Sequence, residues 1–342
     1  MYHTAEPDSA LCHAIQHFRA PIRFAFAYGS GVFQQARKAP SEKPMVDFII
    51  AVTHPGHWHS LNIQQNPHHY SGLRYFGSTT VTRVQENFGA GVYFNPYIEI
   101  EGLRLKYGVV SLSTLCSDLV NWDTLYLAGR MHKPIMVIKN DPVIQVTSQV
   151  NLTNAARLAL LLLPPRFTEE ELYSRIVGLS YTGDIRMKLG ENPHKVRNIV
   201  RGQMDDLRMV YKGILANMPN VVYDQRGTDT IEQDSNPDTR ARMIRNLPST
   251  YYYRLTRAFQ KRDPGVFTNP IIPAESEEYI EAHKHASAGM VRSPHLTECT
   301  LMAIRSTVQR PALTQSLKGV LTAGISKSIR YSLQKLRRSR GL

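Results

Sequence analysis

The 342-residue sequence predicts an α/β (α+β) fold, with a mixed sheet first and helices after it. Three observations carry this reading. Up to about residue 141, short apolar runs of strand length alternate with glycine, proline and polar breaks. Beyond it the apolar residues recur at helical spacing behind recognisable helix starts. Hydrophobic residues make up 42% of the chain, which at this length supports a substantial core and about two domains.

Residues 9–18 read as a short helix, and "IRFAFAY" (22–28) as a buried strand that ends on Gly29-Ser30-Gly31. The early part of "QQARKAPSEKP" can be helical, and Pro40 and Pro44 make the rest a loop before the strand "MVDFIIAV" (45–52). A polar, histidine-rich segment runs through residue 77, followed by strands over 92–94, 97–100 and 103–110, a helix over 113–127 and a strand in "PIMVIKN". In the helical part, "NLTNAARLALLLLP" precedes a helix opened by Thr168 as N-cap, with Glu171 at the capping-box position. A long helix then starts at Asn192 (N-cap) and Pro193, burying Val196, Ile199, Val200, Leu207, Val210 and Ile214. Residues 225–240 read as a polar loop. The expected boundaries are 1–141, 142–245 (helical, winged-helix-like), 246–309 (connecting) and 310–342 (a basic amphipathic helix).

The net charge of +13 points to an anionic partner: nucleic acid, an anionic membrane or a phosphorylated small molecule. Eight lysines and arginines, and no acid, fall in residues 310–342. There Leu313, Leu317, Leu321, Ile325, Ile329, Leu333 and Leu336 form an apolar ladder, with Lys327, Arg330, Arg337 and Arg338 gathered opposite its later part. That pattern suits an interfacial helix on anionic lipid better than a terminal helix docked on its own domain. Three scattered cysteines suggest neither a disulfide framework nor a cysteine zinc site. The longest apolar stretch, residues 158–163, is far short of a membrane span. The opening residues carry Glu6 and Asp8 and no arginine before Arg19, so any targeting signal is expected to be absent or trimmed.

The chemistry gathers around Gly29-Ser30-Gly31 and Asp47. A glycine turn can cradle phosphate with backbone N–H groups, and one carboxylate on the next strand can hold Mg²⁺ against a triphosphate. Ser30 would add a hydroxyl donor, with Tyr28 beside it. Glu99 and Glu101, alternating in "YIEIEG", are candidates for a further metal ligand, their other reading being the solvated face of a hairpin. Lys106 on the next strand could meet a phosphate or be an ordinary surface lysine. His54, His57 and His59 look like a metal cluster, but no cysteine or nearby acid completes a zinc site, and lining a nucleotide pocket is the favoured role for His54 and His57. Lys188, Asn192, Lys195, Arg197 and Arg201 surround a helix N-terminus that suits a phosphate or lipid headgroup, although a basic stripe can equally be solvated surface.

The Gly-Ser turn followed by an acid-bearing strand resembles the DNA polymerase β superfamily of nucleotidyltransferases, with Ile49 standing where its second alternating acid is usual. Taken with "LKYGVVS", "LYLAGRMHKPI" and "GENPHKVRNIV", it resembles the mitochondrial CDP-diacylglycerol synthases of the translocator assembly and maintenance family, over nearly the whole chain. The resemblance implies a polymerase-β-like nucleotidyltransferase domain with a winged-helix domain, acting peripherally at the matrix face of the inner membrane. It implies CTP and phosphatidic acid as substrates, Mg²⁺ as cofactor, and a place upstream of cardiolipin. An RNA-extending nucleotidyltransferase and a non-catalytic winged-helix nucleic-acid-binding protein are the competing readings. The basic segments carry no evident stacked aromatic platforms, so nucleic acid is not the expected partner.

Overall fold

The computed structural model describes residues 9–33, 45–184, 193–223, 229–267 and 277–323. In chain order the first half contains α1 (Ser9–Gln16), β1 (Phe24–Tyr28), β2 (Val46–Val52), α2 (Pro55–Gln65), α3 (Gly77–Asn87), β3 (Val92–Ile100), β4 (Leu103–Ser111), α4 (Leu112–Asn121) and β5 (Met136–Lys139). The five strands form one mixed sheet in the order β3-β4-β2-β1-β5. β2 and β4 are parallel and the other neighbours antiparallel.

Alternation along the strands sends Phe24, Phe26, Ile49 and Phe94 to one face, and Ala25, Phe48, Ile50 and Tyr107 to the other. The second face is closed by α1 and by Trp58 of α2. The first shares one continuous core with the helical half of the chain.

That half contains α5 (Pro142–Leu161), β6 (Arg166–Thr168), α6 (Glu169–Leu179), α7 (Lys195–Gly202), α8 (Met204–Ala216), β7 (Val221–Tyr223), β8 (Thr230–Gln233), α9 (Pro237–Arg245), α10 (Ser249–Arg262), α11 (Glu277–Arg292) and α12 (Leu296–Ala323). Thr168 and Glu171 form the expected capping box. The six apolar positions expected after Pro193 do face the core, but Pro193 lies in a turn, the helix begins at Lys195 with His194 at its N-cap, and it breaks at Gln203 into α7 and α8.

Several expectations need correction. The segments at 92–94 and 97–100 are one strand, because a bulge between Asn95 and Ile98, with Tyr97 at φ 55°, lets β3 pass Pro96 without losing its partner β4. The helix expected over 113–127 stops at Asn121, where Trp122 takes a left-handed conformation. Strand β8 and the start of α9 lie in the expected loop over 225–240, and β8 is the centre of a small antiparallel sheet, β6-β8-β7. The helix expected after Gly31 falls outside the described residues, as do Lys188, Asn192, Lys327, Arg330, Arg337 and Arg338.

The histidine-rich segment is folded rather than open. His59 is fully buried and bonds the Tyr70 hydroxyl at 2.9 Å and Gln85 Oε1 at 2.8 Å. Asn62 donates to Tyr70 and Tyr107, and His69 meets Tyr107. This histidine is therefore a satisfied core group. Burial pushes His59 down to about 4, and burial followed by Lys133 pushes His132 down to about 3. An unfolded histidine takes up its proton near 6.5, so below that pH the unfolded chain binds more protons than the folded one. Stability should be full above about 6.5 and fall as pH drops towards 4, by about 1.4 kcal/mol per pH unit for each histidine. Urea midpoints between pH 7.5 and 4.5 measure this; a flat profile would contradict it.

The C-terminal segment is divided. α12 runs to Ala323, and its Gln315 donates to Val92 O and accepts from Ala90 N, while the buried Lys318 ammonium donates to Gln85 O and Phe88 O at the end of α3. The start of the expected membrane helix is thus docked on the sheet domain. Its docking side consists of Ala312, Gln315, Lys318 and Thr322, whereas Leu313 and Leu317, the first rungs of the apolar ladder, are 44% and 62% exposed.

Candidate active site

Register builds the site. Tyr28 ends β1 opposite Asp47 near the start of β2, and Asp47 is itself aligned with Lys106 of β4. Directly opposed residues share a sheet face, so Tyr28, Asp47 and Lys106 stand in a row across three strands, on the face towards the helical half. Lys106 Nζ lies 3.5 Å from Asp47 Oδ1 and 4.7 Å from the centroid of Phe94. Both charged side chains keep contact with solvent, at 19% and 28% exposure.

Gly29-Ser30-Gly31 forms one 3₁₀ turn directly after Tyr28. Gly29 has φ +80°, and a Cβ there would lie 3.7 Å from Asp47 Oδ2, in the space beside the carboxylate. Gly31 passes so close to β2 that a Cβ would come within 2.7 Å of Met45 O. These constraints keep the turn low and leave Asp47 uncovered. Ser30, partly exposed, is at its middle.

Two cations that the sequence reading passed over complete the surroundings. The chain between α4 and β5 is folded around buried Asp118: its Oδ1 accepts from Thr124 N, Thr124 Oγ1 and Leu125 N, and its Oδ2 from Leu127 N and Ala128 N. Asn151 ties the same segment to α5 by accepting from Trp122 Nε1 and donating to Ala128 O. Arg130 emerges from it with Nε donating to the Tyr28 hydroxyl at 3.2 Å and its guanidinium carbon 3.8 Å from the Tyr126 ring centroid. Lys133, one turn on, donates to Gly129 O and to Ser180 Oγ at the end of α6. Burial first, then Arg130 and Lys195, push the Lys133 amine down to about 7, while burial pushes the Tyr28 phenol up to about 12. The available signal was "LYLAGRMHKPI" itself, two cations spaced by two residues in a turn-rich segment.

Other expected site residues are not brought here. His54 and His57 are exposed beyond the far end of β2, five strand residues past Asp47 and more, because β2 runs away from the site. Glu99 is paired with Arg104 towards the hairpin end, and Glu101, at φ 50° in the hairpin turn, reaches His13 at 4.0 Å. Among the described residues no group of three histidine, cysteine or acidic side chains could hold a metal, so the expected set Asp47, Glu99 and Glu101 does not form. Arg197 and Arg201, one helical turn apart, face Glu170 at 4.0 and 3.1 Å, while Lys195 reaches the Tyr181 ring that Lys133 also meets.

A glycine turn beside a strand carboxylate, with cations on either side, is the layout of a nucleotidyltransferase. The chain belongs to the mitochondrial phosphatidate cytidylyltransferase family, whose model matches residues 11–338. It is 38% identical over 327 residues to the Xenopus laevis protein of that name, covering 94% of this chain and 92% of the relative. The Schizosaccharomyces pombe protein is 37% identical over 347 residues, covering 96% and 83%. That of Saccharomyces cerevisiae is 49% identical over 215 residues, covering 61% and 56%.

Proposed function

We propose that this protein transfers CMP from CTP to phosphatidic acid, forming CDP-diacylglycerol and releasing pyrophosphate. The observation that carries the reading is the row Tyr28–Asp47–Lys106 beside the Gly29–Gly31 turn, in a chain of this family. A phosphate oxygen of phosphatidic acid, already ionised at neutral pH, forms a bond to the α-phosphorus of CTP. The bond from that phosphorus to the bridging oxygen breaks, and pyrophosphate leaves with the electron pair. No strong general base is needed, so positioning and charge neutralisation do the catalytic work.

In this reading the turn and Ser30 hold the triphosphate, and Lys106 moves its charge from Asp47 to a phosphate oxygen as the nucleotide arrives. Asp47 fits Mg²⁺: magnesium takes one or two carboxylates together with phosphate oxygens, and Gly29 leaves the space beside Oδ2 open. When bound, the ion would neutralise charge on the phosphates during transfer.

The protein would work as a peripheral enzyme on anionic lipid at the matrix face of the inner membrane, supplying cardiolipin and phosphatidylglycerol synthesis. Supporting this, the relatives are named mitochondrial, no described helix is long and apolar enough to cross a membrane, and Leu313 and Leu317 are exposed.

The test supplies labelled CTP and Mg²⁺ with either phosphatidic-acid vesicles or RNA. Label is expected in chloroform-soluble CDP-diacylglycerol, and label in RNA alone would replace this reading with the polymerising one. A second experiment separates membrane attachment from folding. Ending the chain after Ala323 should abolish salt-sensitive sedimentation with phosphatidic-acid liposomes while calorimetric CTP binding persists. Ending it after Ala312 should also lower stability, because the Gln315 and Lys318 contacts go with it. Undiminished sedimentation of the longer form would place the lipid contact elsewhere.

A further inference from the structure

We infer that Arg130 and Lys133 form the site for the phosphomonoester of the acceptor lipid, separate from the turn that holds the nucleotide triphosphate. The inference rests on the cytidylyl-transfer reading and says which residues take the second substrate.

Both cations are set into the wall between the sheet and the helical half. Among the described residues they contact hydroxyls, carbonyls and aromatic rings: Tyr28, Tyr126 and its carbonyl for Arg130, and Gly129 O, Ser180 Oγ and the Tyr181 ring for Lys133. Among the described residues neither makes an ion pair with a carboxylate. Arg130 lies close enough to Lys133 to lower the proton affinity of its amine, and two half-buried cations so placed are unfavourable unless an anion joins them; a dianionic phosphate offers three oxygens to both. A guanidinium can take two of those oxygens and an ammonium the third.

Position decides which phosphate. Arg130 is fastened to Tyr28, the residue opposite Asp47, and from the same segment Lys133 reaches Ser180 at the end of α6, so the pair runs from the row of site residues towards the helical half, while Lys106 flanks Asp47 on the β4 side. An attacking phosphate and a departing pyrophosphate must occupy opposite sides of the α-phosphorus in an in-line displacement. With Lys106 assigned to the triphosphate, Arg130 and Lys133 are left for the nucleophile. Lys133 bonds Ser180 at the end of α6 and shares the Tyr181 ring with Lys195 of α7.

The experiment compares the full chain with Lys133→Gln and Arg130→Gln, using soluble dihexanoyl phosphatidic acid so that membrane attachment does not enter. For each variant the expected result is a KM for phosphatidic acid raised about 10- to 100-fold, with calorimetric CTP affinity unchanged. Retained CTP affinity also shows that the fold around Asp47 survives. A parallel loss of CTP affinity would assign the cluster to the triphosphate, and an unchanged KM would remove it from both sites; each outcome overturns the inference. Direct binding of dihexanoyl phosphatidic acid without CTP, weakened in the same variants, tests the site even if the full chain makes no CDP-diacylglycerol, in which case only the activity reading fails. Inorganic phosphate binding as tightly as the lipid would also overturn the assignment to an acceptor lipid.

Discussion

Asp47→Asn is expected to leave the protein folded and to cut turnover on the order of a thousandfold, about 4 kcal/mol in the barrier. The side chain is 28% exposed, and its pairing with Lys106 in contact with solvent should contribute at most about 1 kcal/mol to stability. The proposed mechanism asks much more of it. An amide keeps the shape but supplies no negative charge to hold a cation against the triphosphate. The measurement is single-turnover CDP-diacylglycerol formation at saturating Mg²⁺, beside thermal unfolding of the same variant. Near-normal turnover in a folded variant would remove Asp47 from the metal site and leave the glycine turn as a structural feature only.

Asp118→Asn should have the largest effect on stability, on the order of 3 kcal/mol or more, and should carry activity down with it. Each carboxylate oxygen accepts at least two hydrogen bonds from the segment between Thr124 and Ala128. Replacing one oxygen by an NH₂ group turns an acceptor into a donor facing two backbone N–H groups, which buried chain cannot satisfy otherwise. Because that segment leads directly into Arg130 and Lys133, a variant that still folds should show a raised KM for phosphatidic acid before any loss of CTP binding. Chemical denaturation and the two-substrate kinetics measure both. A loss below about 1 kcal/mol would mean that the segment is held mainly by Asn151.

The sequence carried much of this site because some of its chemistry is local. Gly29 and Gly31 are written where a left-handed φ and a close backbone approach are required, and Asp47 sits at the head of an otherwise apolar strand. Thr168 and Glu171 likewise meet across a single helical turn. Family membership was legible for a related reason, since short ordered blocks such as "YGSGVFQQ" and "GENPHKVRNIV" can be compared without folding them.

The remainder needed the tertiary structure. Histidines at 54, 57 and 59 look alike in sequence, yet the α2 helix turns His59 into a closed network with Tyr70 and Gln85 and leaves His54 and His57 exposed far from Asp47. The leucine ladder of residues 313–336 suggested an interfacial helix rather than a docked one, whereas as far as Ala323 α12 docks through Gln315 and Lys318, because carbonyls at the end of α3 and the start of β3 offer hydrogen bonds that leucine cannot make. Arg130 was unreadable as a neighbour of Tyr28, 102 positions away, until Asp118 had folded the intervening chain. By itself the sequence determined the glycine turn, the position of the carboxylate, the helix start at Thr168 and the concentration of positive charge, since each depends on residues within a few positions of one another. Strand register, buried hydrogen bonds and the convergence of distant cations were decided only in the tertiary structure, because their energies depend on distances that the order of residues does not specify.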